Sequence, residues 1–133
     1  MNDIERMFSL KGKTAVVTGG SGKYGKQISL ALCQAGAKVI IASRNKENND
    51  VYVNELVSQG YNVVSEYLDQ GDEESIKALV EKLSKDGDID ILINNAVLRC
   101  VNGFHDDLKN FKTSLDVNGA GIFAMCRAFG DKP

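Results

Sequence analysis

Residues 14–25 read Thr14-Ala15-Val16-Val17-Thr18-Gly19-Gly20-Ser21-Gly22-Lys23-Tyr24-Gly25. The first five are apolar or β-branched, which suits a buried strand. The run breaks into glycines, and beyond them Ile28, Ala31, Leu32 and Ala35 recur at the spacing of one helix face. Strand, glycine loop and helix in that order form the opening unit of a dinucleotide-binding fold. Glycine permits the tight turn and a close backbone approach to a pyrophosphate. The helix N-terminus then offers unpaired N–H groups and partial positive charge to that anion. Gly20, Gly22 and Gly25 supply the G-x-G-x-x-G spacing. A glycine-rich β-turn would carry the same letters, so the rest of the chain decides between the two.

Upstream, residues 1–13 read as a polar lead-in, with Phe8 and Leu10 expected to cover the bottom of the sheet before the turn at Lys11-Gly12-Lys13. Downstream, the first helix is expected to end near Gln34-Ala35-Gly36, where Gly36 suits a left-handed C-cap position. Val39-Ile40-Ile41-Ala42 shows no polar alternation, as in a strand covered on both faces. After the polar turn Ser43–Asn48, a second helix should place Val53, Leu56 and Val57 inward and stop at Gly60. A third strand spans 62–68. Asp72 is an expected N-cap, with Glu73 and Glu74 in the favourable first turn. Ile76, Leu79, Val80 and Leu83 form the next stripe, closed at Asp86-Gly87. A fourth strand over 89–93 ends in Asn94-Asn95-Ala96, and 97–109 form a loop. From about Asn110, the residues Phe111, Leu115, Asn118, Ile122, Met125 and Phe129 recur at helical spacing. Gly119 and Gly121 should each cost roughly 1 kcal/mol in a helix interior, so close packing against another backbone is expected there.

The sum is βαβαβαβα over a single domain, residues 1–133. It predicts an α/β class, with a parallel sheet, right-handed crossovers, helices on both faces and the Rossmann-type strand order 3-2-1-4.

Composition sets the outer limits. With 133 residues, 43% hydrophobic and 26% charged, the chain resembles an ordinary globular domain. A net charge of -2 provides no footprint for nucleic acid or an anionic membrane surface. No apolar run approaches the roughly 20 residues of a membrane span, and Met1–Arg6 lacks the pattern of a secretion signal. Cys33, Cys100 and Cys126 are odd in number and widely spaced, which fits reduced thiols in a cytoplasmic protein and no metal site. His105 is the only histidine, and a loop-surface position is expected for it. Asp106 and Asp107 read as helix-leading carboxylates.

The residues with chemistry cluster at expected strand tips. An NAD-preferring site shows Asp or Glu about 20 residues past the glycines. Here that region is Ser43-Arg44-Asn45-Lys46, without an acid. The Arg44 fork suits a 2′-phosphate, and Lys23 in the glycine loop adds a second cation. NADP is therefore expected ahead of NAD, although both cations could equally be solvated surface charges. Asp69 follows the third strand, where a carboxylate could accept from the adenine amino group or simply shape a turn. Asn94 and Asn95 close the fourth strand at the edge where such sheets bind ligands. Asn118 interrupts an apolar stripe, which calls for a backbone carbonyl, an ordered water or a buried partner.

These residues together resemble the short-chain dehydrogenase/reductase family. The resemblance rests on Leu10-Lys11-Gly12-Lys13, on TGGSGKYG at 18–25, on Asp69, on Asn94-Asn95-Ala96 and on Leu115-Asp116-Val117-Asn118. It covers nearly the whole chain. It implies an NAD(P)-dependent oxidoreductase that moves hydride between nicotinamide and a carbonyl or secondary alcohol. The implied cofactor-binding residues are Thr18, Gly19, Ser21, Gly22, Lys23, Tyr24, Gly25, Arg44, Asp69, Asn94 and Ala96. Asn118 matches the family's catalytic Asn, and a homo-oligomer is implied for the full-length form. Two positions depart from the family pattern. Lys23 stands where the shorter-chain subgroup has Gly, and Val97 stands where Gly follows Asn-Asn-Ala. The family also uses a Ser and a Tyr with Lys four residues later. The four tyrosines here are followed at that distance by Ile28, Leu56, Ser65 and Gly71. The chain thus reads as the cofactor-binding half, truncated before a fifth strand. A non-catalytic nucleotide-binding module and a functionless truncation product stand as alternatives.

Overall fold

The central strand β1 (Thr14–Thr18) is entirely buried beyond its first residue and has a neighbour on either side. The computed structural model describes residues 1–131; Lys132 and Pro133 lie outside the described residues. In chain order the elements are α1 (Asp3–Phe8), β1, α2 (Lys23–Gln34), β2 (Lys38–Ser43), α3 (Lys46–Ser58), β3 (Val63–Tyr67), α4 (Glu73–Ser84), β4 (Ile91–Ile93), α5 (Leu108–Leu115), a π turn (Asp116–Ala120) and α6 (Gly121–Gly130). The four strands form one parallel sheet in the order β3-β2-β1-β4, as the alternation of elements predicts. Register aligns Val16 with Ile40 and Leu92, and Ile40 with Val64.

Strand side chains alternate between two cores. Val17, Val39, Ile41 and Val63 pack with Cys33, Tyr52, Val53 and Leu56, so α2 and α3 cover one face. Val16, Ile40 and Ala42 pack with Ile76, Leu79, Leu83, Met125 and Phe129, so α4 and α6 cover the other. Each fully buried Ile, Leu or Val contributes about 1.5–3 kcal/mol of transfer free energy, and both faces of β2 are filled in this way. Gly36 and Gly60 follow their helices at φ 102° and 92°, the left-handed conformation that stops a helix. Asp72 caps α4 by accepting from the Glu74 N–H.

The structure corrects several expectations. Residues 3–8 form a short helix, started by Asn2, whose Oδ1 accepts from the Glu5 N–H at 2.8 Å. Phe8 points to solvent on that helix, while Leu10 packs beside the α2–α3 core. In α2 Ile28 and Leu32 pack against the core as expected, but the fully buried positions are Gly25, Ser29 and Cys33, and Ala31 is exposed. The small face wins because it must sit against the glycine loop, where the Ser29 hydroxyl donates to the Gly20 carbonyl at 3.1 Å. In α3 Val57 is exposed, and Asn49 and Tyr52 are buried. Both polar groups are satisfied, Tyr52 by donating to the Lys26 carbonyl at 2.8 Å.

The last helix is not one continuous α-helix. The π turn inserts a residue, which advances the helical face by about 100°. Phe111 and Leu115 therefore leave the stripe and are exposed, while Met125 and Phe129 stay in the core. The expectation of close backbone packing holds for Gly121 alone. A Cβ there would lie 2.7 Å from the Gln70 carbonyl oxygen of the same chain, whereas Gly119 faces open space.

Candidate functional site

In a doubly wound sheet the strand order reverses beside the first strand, and a crevice opens at the carboxyl edge. The chain has a cleft of about 560 Å³ at that place, between the ends of β1 and β4. Thr18, Gly19, Gly22, Lys23 and Tyr24 form one wall; Ser43, Arg44 and Asn45 form the tip of β2; Leu68, Asp69 and Gln70 follow β3. Asn95, Ala96, Val97, Leu98 and Arg99 complete it from the segment after β4, with Val117 from the π turn.

The glycine loop is built around one carbonyl. Gly19 takes φ 64°, in the left-handed region where glycine is unstrained. Its oxygen accepts from the Gly22 N–H at 3.0 Å and from Asn95 Nδ2 at 3.1 Å. Gly25 packs onto the same oxygen: a Cβ at Gly25 would stand 1.9 Å from it. That contact presses the start of α2 onto the loop. The helix begins at Gly22 without a side-chain cap, so its first-turn N–H groups face the loop uncovered by any capping side chain.

The buried Thr18 hydroxyl joins the two strands that flank the crevice. It accepts from the N–H groups of Asn95 and Ala96, each at 3.0 Å, and donates to the Ile93 carbonyl at 3.4 Å. Across the cleft, Asp69 Oδ1 accepts from the Gly71 N–H at 2.9 Å, and Ser75 Oγ accepts from the Asp69 N–H at 2.9 Å. Its carboxylate is thus fixed at the β3 tip. Among the described residues Lys23 and Arg44 make no ion pair, so the rim between glycine loop and β2 carries two free cations.

Of the sequence-derived candidates, Thr18, Gly19, Gly22, Lys23, Tyr24, Arg44, Asp69 and Ala96 therefore line one cleft. Gly25 lies directly beneath it. Three others sit elsewhere. Ser21 turns away and donates to Asn49 Oδ1 at 2.7 Å. Asn94 faces α6, with Nδ2 3.4 Å from Cys126 Sγ, and it is the adjacent Asn95 that lines the cleft. Both residues lie just past the end of β4, and their amides leave the chain in different directions, Asn94 to Cys126 and Asn95 to the Gly19 carbonyl. Asn118 stands one layer behind the wall. Its Oδ1 accepts from the Leu98 N–H at 2.7 Å, and its Nδ2 donates to the Leu98 carbonyl at 2.9 Å and to Ser114 Oγ at 3.1 Å. Of the partners that an Asn on this stripe calls for, the structure supplies the backbone of Leu98.

Gln70 and Asn49 were not singled out from the sequence. Gln70 Nε2 donates to the Val117 carbonyl at 3.0 Å and so supports the π turn. The preference of α3 for burying polar Asn49 over Val57 had no periodic signal. Beyond the cleft, His105 stacks edge-on to Phe104 on the exposed loop. Asp106 accepts from the Asn102 N–H, the Asp107 N–H and Asn110 Nδ2, and these donors hold its carboxyl below the usual range. Burial pushes the Cys33 thiol up.

A parallel sheet ordered 3-2-1-4, with a glycine loop and a crevice at its switch point, defines a Rossmann-like α/β domain. The short chain dehydrogenase family matches residues 13–132, and the chain belongs to that family of oxidoreductases. It is 39% identical over 129 residues to 2-dehydro-3-deoxy-D-gluconate 5-dehydrogenase of Pseudoalteromonas atlantica, covering 92% of this chain and 50% of that protein. A dehydrogenase/reductase from Sinorhizobium meliloti 1021 superposes with a TM-score of 0.89 at 28% identity, over 98% of this chain and 53% of that one. A gluconate 5-dehydrogenase from Burkholderia cenocepacia J2315, solved in complex with NADP and tartrate, superposes with a TM-score of 0.84 at 25% identity, over 96% and 51%. The chain spans about half the length of these relatives. No helix among the described residues is long and apolar enough to cross a membrane.

Proposed function

We propose that this chain forms the cofactor-binding portion of an NAD(P)-dependent oxidoreductase that interconverts a carbonyl and a secondary alcohol, with NADP as the preferred cofactor. The observation that carries this reading is the crevice itself, where the uncapped start of α2 and two unpaired cations, Lys23 and Arg44, share one rim. The residues present fit a dinucleotide. The backbone at Gly19 and Gly22 leaves room for a pyrophosphate, since no side chain projects from either residue. Arg44 stands at the tip of β2, where a 2′-phosphate would lie, and Asp69 follows β3 by two residues, where an adenine amino group would lie. The NADP-bound relative from Burkholderia cenocepacia supports the choice of cofactor.

When bound, the nicotinamide supplies or takes the hydride. The chain's own residues bind and orient. Thr18, Asn95 and Gly19 hold the crevice open at a fixed width, and Gly25 keeps α2 pressed to the loop. Asn118 fixes Leu98 and so the inner wall; the family resemblance assigns it the catalytic Asn position. Val97 projects into the cleft where the family pattern has glycine, which narrows that end. A small alcohol or carbonyl is the proposed substrate and a homo-oligomer the proposed assembly.

Calorimetric titration of the folded 133-residue chain with NADPH and with NADH tests the reading. Saturable binding that favours NADPH is expected. Absence of binding to both, from folded protein, would overturn it. A second reading, binding without turnover, is favoured by the lack of any Tyr with Lys four residues on within this sequence. It expects the same titration with no conversion of alcohols or carbonyls by this chain.

A further inference from the structure

We propose that Asn49 is a positioning residue that sets NADPH against NADH selectivity by locking the glycine loop to the tip of β2. The proposal rests on the cofactor assignment above and extends it to a residue outside the cleft. Asn49 lies on α3, fully buried, on the far side of the loop from the crevice. Its Oδ1 accepts two hydroxyls: Ser21 Oγ at 2.7 Å, from the middle of the glycine loop, and Ser43 Oγ at 3.0 Å, from the last residue of β2. Its Nδ2 lies 3.5 Å from the Glu66 carbonyl of β3, toward which it donates. One amide thus spans three separate segments of the carboxyl edge.

The arrangement has a direct consequence for recognition. The pyrophosphate-binding loop contains Ser21, between Gly20 and Gly22, and the candidate 2′-phosphate ligand Arg44 follows Ser43. In NADPH the ribose that joins the pyrophosphate to the 2′-phosphate confines their separation to a narrow range. A protein that must engage both at once gains only if its loop and its Arg are held at the matching separation. Asn49 bridges the two residues adjoining those contacts through a single oxygen. NADH has no 2′-phosphate and engages the loop alone, so it is indifferent to that separation. Loss of the bridge therefore penalises NADPH more than NADH.

The test is a double-mutant cycle on the folded chain, with NADPH and NADH dissociation constants measured by calorimetry. Asn49→Leu removes the amide, and Ser21→Ala removes only the loop contact and keeps the Asn49–Ser43 bond should the Leu variant not fold. Either variant is expected to lower the NADPH:NADH preference by roughly fivefold. In an Arg44→Ala background, where the 2′-phosphate partner is already gone, the same substitutions are expected to leave the ratio unchanged. A ratio that stays at the wild-type value, or that falls equally with and without Arg44, overturns the proposal while leaving cofactor binding intact. Wild-type chain that binds neither cofactor overturns the functional reading, and this inference with it.

Discussion

Asn118 holds the backbone of Leu98 by both ends, accepting from its N–H at 2.7 Å and donating to its carbonyl at 2.9 Å. The two-way bond joins the π turn to the segment that forms the inner wall of the crevice. Asn118→Ala leaves the Leu98 N–H and carbonyl without these partners, which costs about 1–3 kcal/mol. A thermal melt should show a drop on the order of several degrees, and amide exchange at Leu98 should accelerate. An unchanged melt together with unchanged exchange at Leu98 would show that the contact is not kept in solution.

Gly25→Ala should be severe. The added Cβ would stand 1.9 Å from the Gly19 oxygen, a backbone atom that other contacts also fix. Overpacking of this kind costs typically about 1–3 kcal/mol or more. Cooperative unfolding at a clearly lower temperature is expected, with cofactor binding lost even below that temperature. Wild-type affinity in a Gly25→Ala protein would contradict the packing described for the loop.

Arg44→Ala removes one free cation from the rim. A hydrogen bond to a charged group is worth about 1.5–3 kcal/mol, so NADPH affinity should fall by roughly tenfold or more while NADH affinity changes little. Equal loss for both cofactors would place Arg44 away from the 2′-phosphate.

The depressed carboxyl of Asp106 makes the start of α5 acid-sensitive. Its ionised form accepts from Asn102, Asn110 and Asp107, so the folded pKa lies below the unfolded one. The associated stabilisation is present above the unfolded value and is lost as pH falls through the folded one. Nuclear magnetic resonance titration should show the Asn102 and Asp107 amides moving together, at a pH below the ordinary aspartate range. Titration of these amides at or above that range would remove the carboxylate as their acceptor.

Cys33 and Cys126 should differ sharply toward an alkylating agent. The thiolate is the reactive species, and Cys33 is buried with its thiol pushed up, whereas Cys126 is exposed. At neutral pH, mass spectrometry should find Cys126 modified in the folded protein and Cys33 modified only after denaturation.

The strand order and the crevice were legible because their signals are local and strong. Val39–Ala42 reads as a strand buried on both sides, and Gly19–Gly25 reads as a loop before a helix, from letters alone. The choice between Asn94 and Asn95 was not, because it depends on the path of the chain past the end of β4. The rotation of Phe111 and Leu115 out of the core depends on the π turn at Asp116–Ala120, a one-residue insertion that a constant helical period cannot reveal. The role of Asn49 needs three segments brought together, since Ser21 and Asn49 are separated by 28 positions. Asn2 did carry a readable capping pattern with Glu5, yet the short helix it starts lacks a buried face that would mark it.

The Thr18 hydroxyl has one further implication. A single side-chain oxygen terminates the central strand and also anchors the first two residues of the opposite lip. Whatever moves Asn95 or Ala96 must therefore either break that junction or displace the sheet's own axis. The end of the central strand and the shape of the crevice depend there on one atom. Attempts to harden this protein by redesigning the end of β1 should consequently trade against recognition, while α1 and the exposed side of α3 offer ground where the two properties can be adjusted separately.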